Sequence, residues 1–520
     1  LVTFLRQVKK SDSNRKAKYS GNISRIGFQI KQHNTKGVPM YIGIDLGTSG
    51  VKVVLLNEEQ QIIATTQQSL PISRPHPLWS EQDPQDWWQA TNKAMLALSS
   101  QHDLSAVKAI GLTGQMHGAT LLDKQDNILR PAILWNDGRS AQECAELEKL
   151  VPNSREITGN LMMPGFTAPK FKWVDSHEPT IAEKVSKVLL PKDYLRLLIT
   201  EEYASDMSDA SGTMWLDVAK RTWDKSLLNA CGLDESNMPR LFEGNQITGY
   251  VRKELAKSWK INEVPVVAGG GDNAAGAIGI GLYQAGQAML SLGTSGVYFV
   301  VSDKFTANPQ KAVHSFCHAL PNRWHLMSVM LSAASAVDWA QKSLGIADIP
   351  TLFHKIEQSA VNSEVIFLPY LSGERTPHND AYAKGVFWGL SHNDNAETMA
   401  KAVVEGVSFA LAEGIDVLHE TGVTADNIAL IGGGAKSAYW RQLLADISGR
   451  TFEYRTGGDV GPALGAAKLA QIALNPNEDI ANFCQPLPLE AVYQPNPKQT
   501  AFYAEKRQKF AELYQRLKGL

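Results

Sequence analysis

One pentapeptide, Leu-Gly-Thr-Ser-Gly, occurs twice in this chain, at Leu46–Gly50 and at Leu292–Gly296, 246 residues apart. Each copy sits between apolar runs: Met40–Asn57 reads MYIGIDLGTSGVKVVLLN and Ala288–Ser302 reads AMLSLGTSGVYFVVS. Val, Ile and Tyr around a short glycine-bounded turn predict a β-hairpin. Glycine at both ends of the turn admits positive φ and lets backbone N–H groups converge on an anion. One such turn is ordinary hairpin chemistry. Two of them, one in each half of a 520-residue chain, predict duplicated domains that share one phosphate-bearing ligand. The flanks of the two copies differ informatively: Asp45 before the first stands against Ser291 before the second. Only the first turn therefore offers a carboxylate, and only that side should recruit a hydrated cation.

The segments that follow extend this pattern. Gln61–Leu70 reads as a third strand, and a helix is predicted from Pro84 to about Leu98, with Asp83 as N-cap and Asp86 in its first turn. Val107–Gly114 and Ala132–Trp135 read as further strands. Three consecutive strands followed by alternating helix and strand is the order of a ribonuclease-H-like sheet. In the second half a final strand, Asn427–Leu430, should run into Gly432-Gly433-Gly434 and a helix from Ser437 to Ile447. A C-terminal helix over Gln499–Lys518 puts Tyr503, Phe510, Leu513, Tyr514 and Leu517 on one face, which should lie on the second domain.

Charge narrows the partners. Residues 1–39 hold nine Lys or Arg and one acid, whereas the remainder carries 42 bases against 52 acids. A body of that sign suits neither nucleic acid nor an anionic membrane surface. No run approaches the ~18 apolar residues of a membrane-spanning helix. The four cysteines stand apart with no CxxC spacing, which reads as isolated thiols in a reducing, cytoplasmic setting. The basic first 39 residues lack an amphipathic stripe, so they are read as an extension outside the folded body, with Met40 as the natural start.

Val266–Ile280 (VVAGGGDNAAGAIGI) predicts a strand, a triple glycine and a small-residue helix opened by Asp272. Such an acid serves as a helix cap or as a base. Phosphoryl transfer to a hydroxyl needs a carboxylate to accept the proton, and Asp272 is the first candidate. The helix behind it, with Ala274, Ala275, Gly276 and Ala277, can approach a neighbour closely. Ile431–Ser437 (IGGGAKS) is not a Walker loop, because Ala435 precedes Lys436 and no glycine lies at the required distance. No GxGxxG opens a βαβ unit, which disfavours dinucleotides. A bare triple glycine at Gly432–Gly434 suits an adenosine contact, and Thr456-Gly457-Gly458 and Gly461–Gly465 add flexible backbone after it. Gly114–Gly118 (GQMHG) and Trp135–Arg139 (WNDGR) both follow strands. The first reads as a pocket cluster or a satisfied loop histidine. The second offers a ring, an amide, an acid and a guanidinium able to read a polyol, or else is a surface turn.

At these residues the chain resembles the FGGY family of carbohydrate kinases, and within it the bacterial xylulose kinases, from Met40 to the C-terminus. Gly165–Trp173 (GFTAPKFKW) is similar to the family's first signature and Gly385–Glu405 to its second. The second also has a structural reading, with Asp394–Glu397 as a capping-box variant. Trp79–Pro84, Met116-His117, Trp135–Arg139 and His314–Leu320 resemble the xylulose-specific subset. The resemblance implies an α/β fold of two actin-like domains with the active site in the cleft between them, divided as 40–284 for sugar and 285–520 for nucleotide. It implies ATP and Mg²⁺, a small sugar as partner, and phosphorylation of D-xylulose at O5; ribulose, gluconate, glycerol or a non-enzymatic ATP switch are the alternatives. Asp272 would be the base, and Asp45 would hold magnesium through water with Asp272 nearby. Gly47, Thr48, Ser49, Gly293 and Thr294 would line the phosphate turns, with Gly433 and Gly434 near the nucleotide. Met116, His117, Trp135, Asp137 and Asn273 would line the sugar pocket. A homodimer is compatible with this reading.

Overall fold

In the computed structural model, residues 37–358, 363–457 and 461–520 are described, and Pro39–Leu520 form one body. Residues 1–36 and Gly458 lie outside the described residues. Two sheets organise the body. The first contains β1 (Met40–Leu46), β2 (Gly50–Asn57), β3 (Ile62–Ser69), β4 (Val107–Gly114), β5 (Ile247–Tyr250) and β6 (Pro265–Gly271), in the order β5-β6-β4-β1-β2-β3. The strands β1, β2 and β3 run antiparallel, while β1, β4 and β6 run parallel. The second sheet contains β7 (Ala288–Leu292), β8 (Gly296–Ser302), β9 (His314–Cys317), β10 (Trp324–Met330), β11 (Asn427–Ile431), β12 (Thr451–Arg455) and β13 (Leu489–Tyr493). Its order is β9-β10-β8-β7-β11-β12-β13, with β7, β8 and β10 antiparallel and β7, β11 and β12 parallel. Apart from one extra edge strand, β9, the second sheet repeats the spatial order of the first. Duplication read from one pentapeptide thus extends to the whole sheet order.

Both faces of the first sheet are covered, which explains why β1 is apolar almost throughout rather than alternating. Met40, Ile42, Ile44 and Leu46 face Trp87, Ala94, Met95 and Leu98 of the helix Pro84–Gln101. That helix starts as its sequence predicts, with Asp83 accepting from the Gln85 N–H at 2.9 Å. Tyr41 on the opposite face joins Ala109, Val267, Leu464 and Ala467. Leu464 and Ala467 belong to the helix Gly461–Leu474. This helix replaces the flexible glycine stretch expected at Gly461–Gly465. Its glycines are spent on close packing against the helix Asp272–Gly279, where a methyl at Gly465 would overlap the Ala275 carbonyl oxygen. The Asp272 helix in turn lays Ala277 and Ile280 among Met289, Phe299 and Val301 of the second sheet. Each sheet is therefore covered by a helix from the other half of the chain, and the two helices cross between them.

Three other expectations change. Ala132–Trp135 contributes only Ala132–Ile133, in a two-stranded ribbon with Glu81–Gln82 outside the main sheet, because its four residues find their partner in a loop. The strand Asn427–Ile431 is not the last, since β12 and β13 follow it. At Asp394–Glu397 no reciprocal box forms: Asn395 alone caps the helix Ala396–His419, accepting from Thr398 N–H at 3.0 Å, while Glu397 pairs with Lys355. The C-terminal helix runs Pro497–Leu517 and buries Tyr503, Phe510, Leu513 and Tyr514 against the second-half core, as its stripe predicts. All four cysteines are buried free thiols. Among the described residues no helix is long and apolar enough to cross a membrane.

Candidate active site

Three neighbouring parallel strands, β1, β4 and β6, end side by side, with Leu46 level with Gly114 and Gly114 level with Gly271. Just before or after those ends come Asp45, Met116-His117 and Asp272. The carboxyl edge of a parallel sheet is where such folds form a ligand crevice, because the strands end together there and the chain departs as loops.

Asp45 lies opposite Lys52 in the hairpin register. The matching pair in the second hairpin is Ser291 and Val297, so the charge asymmetry involves both strands. Asp45 Oδ1 is shielded from solvent and has no hydrogen-bond partner among the described residues. Burial first, and then the charge of Asp272, push the Asp45 carboxyl up to about 7, while Lys52 pulls it down. Asp272 is the first residue of its helix, but it does not cap it. Its Oδ1 accepts from the Asn273 backbone N–H at 2.7 Å and from Asn273 Nδ2 at 2.9 Å. Burial raises the Asp272 carboxyl to about 6 against those two bonds. Two carboxyls raised toward neutrality, one of them partly by the charge of the other, are the kind of pair that acid–base work requires.

The strand that carries Asp272 is soft, since Gly269, Gly270 and Gly271 bring no side chains to hold it. Buried polar groups brace it instead. Arg196 donates to the carbonyls of Val267 at 2.8 Å and Ala268 at 2.5 Å. The Gly271 N–H donates to Ser208 Oγ at 3.0 Å, and Ser208 Oγ donates to Asp206 Oδ1. Asp206 in turn pairs with Lys192 at 2.7 Å, whose ammonium also meets Asp193 and Asp209, all wholly buried. Sequence reasoning missed this brace, because its members are scattered over residues 192–209 and show no motif.

His117 adopts φ +69°, a strained conformation for a non-glycine residue. Its carbonyl accepts from Thr167 Oγ1 at 3.1 Å and Lys170 Nζ at 3.0 Å, both from the Gly165–Trp173 signature. Its Nδ1 lies 2.9 Å from the Gly212 carbonyl oxygen, so Nδ1 donates and Nε2 keeps its lone pair. Burial, with help from Lys170, lowers the ring to about 3, although the Gly212 bond opposes this. His117 is therefore a neutral acceptor at physiological pH. Met116 is buried beside Gly212 and Gly271, where a methyl on either glycine would crowd it.

The remaining predicted residues separate into two groups. Thr48 Oγ1 donates to Gln115 Oε1 and accepts from Trp135 Nε1, both at 3.0 Å. Gln82 ties the same turn to Gln115 and Trp87. The Thr48 hydroxyl is thus engaged, which leaves the backbone N–H groups of Gly47–Ser49 and the exposed Ser49 to meet an anion. Trp135 is joined to this network. Asp137 is not open to a sugar: its carboxylate is wholly shielded, accepting from Ser80 N–H at 2.6 Å and pairing with Arg139 at 2.7 Å. Arg139 lies 3.6 Å over the Trp79 ring. This carboxylate and guanidinium hold the pocket wall.

On the second sheet a cavity of about 640 Å³ is lined by Gly293, Thr294, Gly433, Gly434, Phe353 and Trp440. Gly432 enters it at φ +92°, with its missing side chain facing the Leu292 carbonyl. A glycine-walled cavity with an aromatic and aliphatic side is shaped for a nucleoside. The triple glycine signalled this cavity; Phe353, Ile349 and Pro350 came from a helix that the sequence did not single out.

Both halves of the chain match known proteins. Residues 40–279 match the N-terminal domain of the FGGY family of carbohydrate kinases, and residues 288–474 match its C-terminal domain. The chain is 62% identical over 479 residues to the xylulose kinase of Escherichia coli K12, covering 92% of this chain and 99% of that protein. Among solved structures, a Brucella ovis protein described as a "xyloylose kinase" superposes with a TM-score of 0.88 at 46% identity, over 92% of this chain and 99% of that one. A gluconate kinase from Lactobacillus acidophilus superposes with a TM-score of 0.87 at 26% identity, over 92% and 98%.

Proposed function

Because the chain belongs to the FGGY family of carbohydrate kinases, we propose that it transfers the γ-phosphoryl group of ATP to O5 of D-xylulose, giving D-xylulose 5-phosphate and ADP. The observation that carries this reading is the half-buried carboxyl pair, Asp45 and Asp272, at the ends of the strands that flank the one leading to His117. Asp272 takes the proton from O5 as the O5–phosphorus bond forms and the bond to the ADP oxygen breaks. Asn273 fixes one oxygen of that carboxylate and leaves the other for the sugar. His117 Nε2 accepts from a sugar hydroxyl, and Met116 fills the apolar side. The nucleoside occupies the cavity at Gly433 and Gly434, with its phosphates against the turns at Gly47–Ser49 and Gly293-Thr294. The same reading divides the body into a sugar half, 40–284, and a nucleotide half, 285–520, with the crossing helices as the joint.

Asp45 fits a magnesium ion bound through water, since its buried Oδ1 has no hydrogen-bond partner among the described residues. No group of three metal-ligating side chains occurs among the described residues, which is compatible with an ion held by one or two carboxylates, water and phosphate oxygens. When bound, magnesium would neutralise charge on the phosphates. Four buried free thiols suit a reducing cytoplasm.

The test is ADP release measured at fixed ATP–Mg²⁺ with D-xylulose, D-ribulose, gluconate and glycerol. D-Xylulose should give the highest kcat/KM, and a preference for any other acceptor would replace it as the substrate. His117→Ala should raise KM for the sugar by about tenfold, the worth of one buried hydrogen bond, and leave KM for ATP unchanged. Equal changes in both constants would remove His117 from the sugar pocket.

A further inference from the structure

Arg375 has no counterpart in the site built so far. It belongs to the second half of the chain, in a loop held to the edge of β10. The residues on either side of it are pinned. Glu374 Oε1 accepts from the Leu331 N–H at 3.1 Å and from the Arg375 N–H at 2.7 Å. Thr376 N–H donates to the Val329 carbonyl at 3.1 Å, and Thr376 Oγ1 accepts from the Val329 N–H at 3.1 Å and donates to the Ala312 carbonyl at 2.8 Å. Two neighbours anchored to one strand end fix the backbone between them, so the Arg375 side chain is presented from a rigid base.

That side chain reaches the other half. Its Nη2 would lie 3.7 Å from a methyl placed on Gly165. Gly165 also lies against the Trp135 carbonyl and precedes Phe166, which meets the His117 ring edge-on at 5.0 Å. Among the described residues the guanidinium has neither a hydrogen bond nor an ion pair, although an arginine carries five donors. Glu374 turns its Oε1 to two backbone N–H groups and not to the guanidinium, and burial pushes that carboxyl up to about 8 against the pull of Arg375. The positive charge of Arg375 is felt at His117, Lys170 and His314, whereas Asp45 feels Asp272 and Lys52. Arg375 thus lies on the His117 side of the pocket, beside Gly165.

We propose that Arg375 is a sugar-binding, specificity-determining residue, which reaches from the second half over Gly165 to grip the C1 hydroxyl and C2 carbonyl oxygens of the bound ketose. A planar fork of N–H donors suits two adjacent oxygens and fits a single hydroxyl poorly. The open chain of a pentulose places those oxygens at the end opposite O5, so with O5 at Asp272 the guanidinium beside Gly165 would take the ketose end. Because the pocket floor comes from the first sheet and Arg375 from a loop of the second half, the sugar also ties the halves together.

This inference rests on the sugar-kinase reading above, and the experiment separates the two. KM and kcat are measured for wild type, Arg375→Met, which keeps an unbranched apolar stem, and Arg375→Lys, which keeps the charge without the fork. Each is assayed with D-xylulose and with xylitol, in which C2 carries a hydroxyl, and folding is checked by circular dichroism. Arg375→Met should raise KM for D-xylulose about 10- to 100-fold, the range for a hydrogen bond to a charged group, with KM for ATP unchanged. It should also flatten the preference for D-xylulose over xylitol, and Arg375→Lys should restore only part of it. An unchanged sugar KM, an equal rise in both KM values, or an undiminished ketose preference would each overturn the proposal. If wild type prefers another acceptor, the substrate reading falls, and Arg375 is judged on the KM for that acceptor.

Discussion

Asp272→Asn should lower kcat by about 10²–10⁴-fold while the folded protein becomes more stable at neutral pH. The two effects have one origin. Burial raises the Asp272 carboxyl to about 6, so ionising it in the folded state costs more than in the unfolded chain, where an aspartate titrates near ~3.9. Between those values the folded state holds the proton that the unfolded state has lost, so stability falls as pH rises through this window and stays lower above it. Asparagine removes that penalty. Its melting temperature should exceed that of wild type at pH 8 and match it at pH 4. Losing the charge of Asp272 should also let the Asp45 carboxyl fall from about 7, since that charge is part of what holds it up. The activity of the wild type should decline on acidification as the same carboxylates gain protons, whereas His117, neutral down to about pH 3, adds no step near ~6.5. Near-normal turnover in Asp272→Asn, with the thermal gain present, would make Asp272 a buried acid of no catalytic use.

What could be read from the sequence follows from how local each signal is. The hairpins at Leu46–Gly50 and Leu292–Gly296 and the cap at Asp83 form from residues adjacent in the chain, and each is found where it was predicted. Asp272 was visible because three glycines precede it. Its alternative role as N-cap falls to Gly271 in the structure, where Asp272 is the first helical residue and its carboxylate bonds to the backbone and side chain of Asn273. Elements defined by distant partners were read less well. Ala132–Trp135 has the apolar run of a sheet strand, but Glu81–Gln82, some fifty residues earlier, takes it into a ribbon. Asp137 has the chemistry of a polyol ligand, but Ser80 and Arg139 consume it. Lys170, Lys192 and Arg375 gain their meaning only from the chain that surrounds them. Charged side chains in unremarkable local sequence give no sign that folding will bury or present them.

The same limit explains Gly465, whose replacement should damage the fold severely. Gly461 and Gly465 stand four residues apart on one face of the helix Gly461–Leu474, and sequence alone treats them alike. Their surroundings differ. A methyl at Gly461 would meet only Gly276 backbone at ordinary contact distance, 3.7 Å, whereas one at Gly465 would overlap the Ala275 carbonyl oxygen and press on the Gly279 N–H. Those atoms are backbone in the middle of a helix and cannot swing aside. The same helix is held on its other side by Gly43 and Gly111 of the first sheet, where methyls would meet the Ala463 and Ala466 carbonyls. With no side free to yield, Gly465→Ala should cost more than about 3 kcal/mol, beyond ordinary overpacking. Gly461→Ala should be neutral or slightly stabilising, because alanine favours helix over glycine. The displaced partner is the helix that begins at Asp272, so Gly465→Ala should lower kcat together with the melting temperature. Urea unfolding of the two variants beside wild type, with turnover measured on each, provides the comparison. Equal stability for Gly461→Ala and Gly465→Ala would mean that the two halves are not held at this helix crossing.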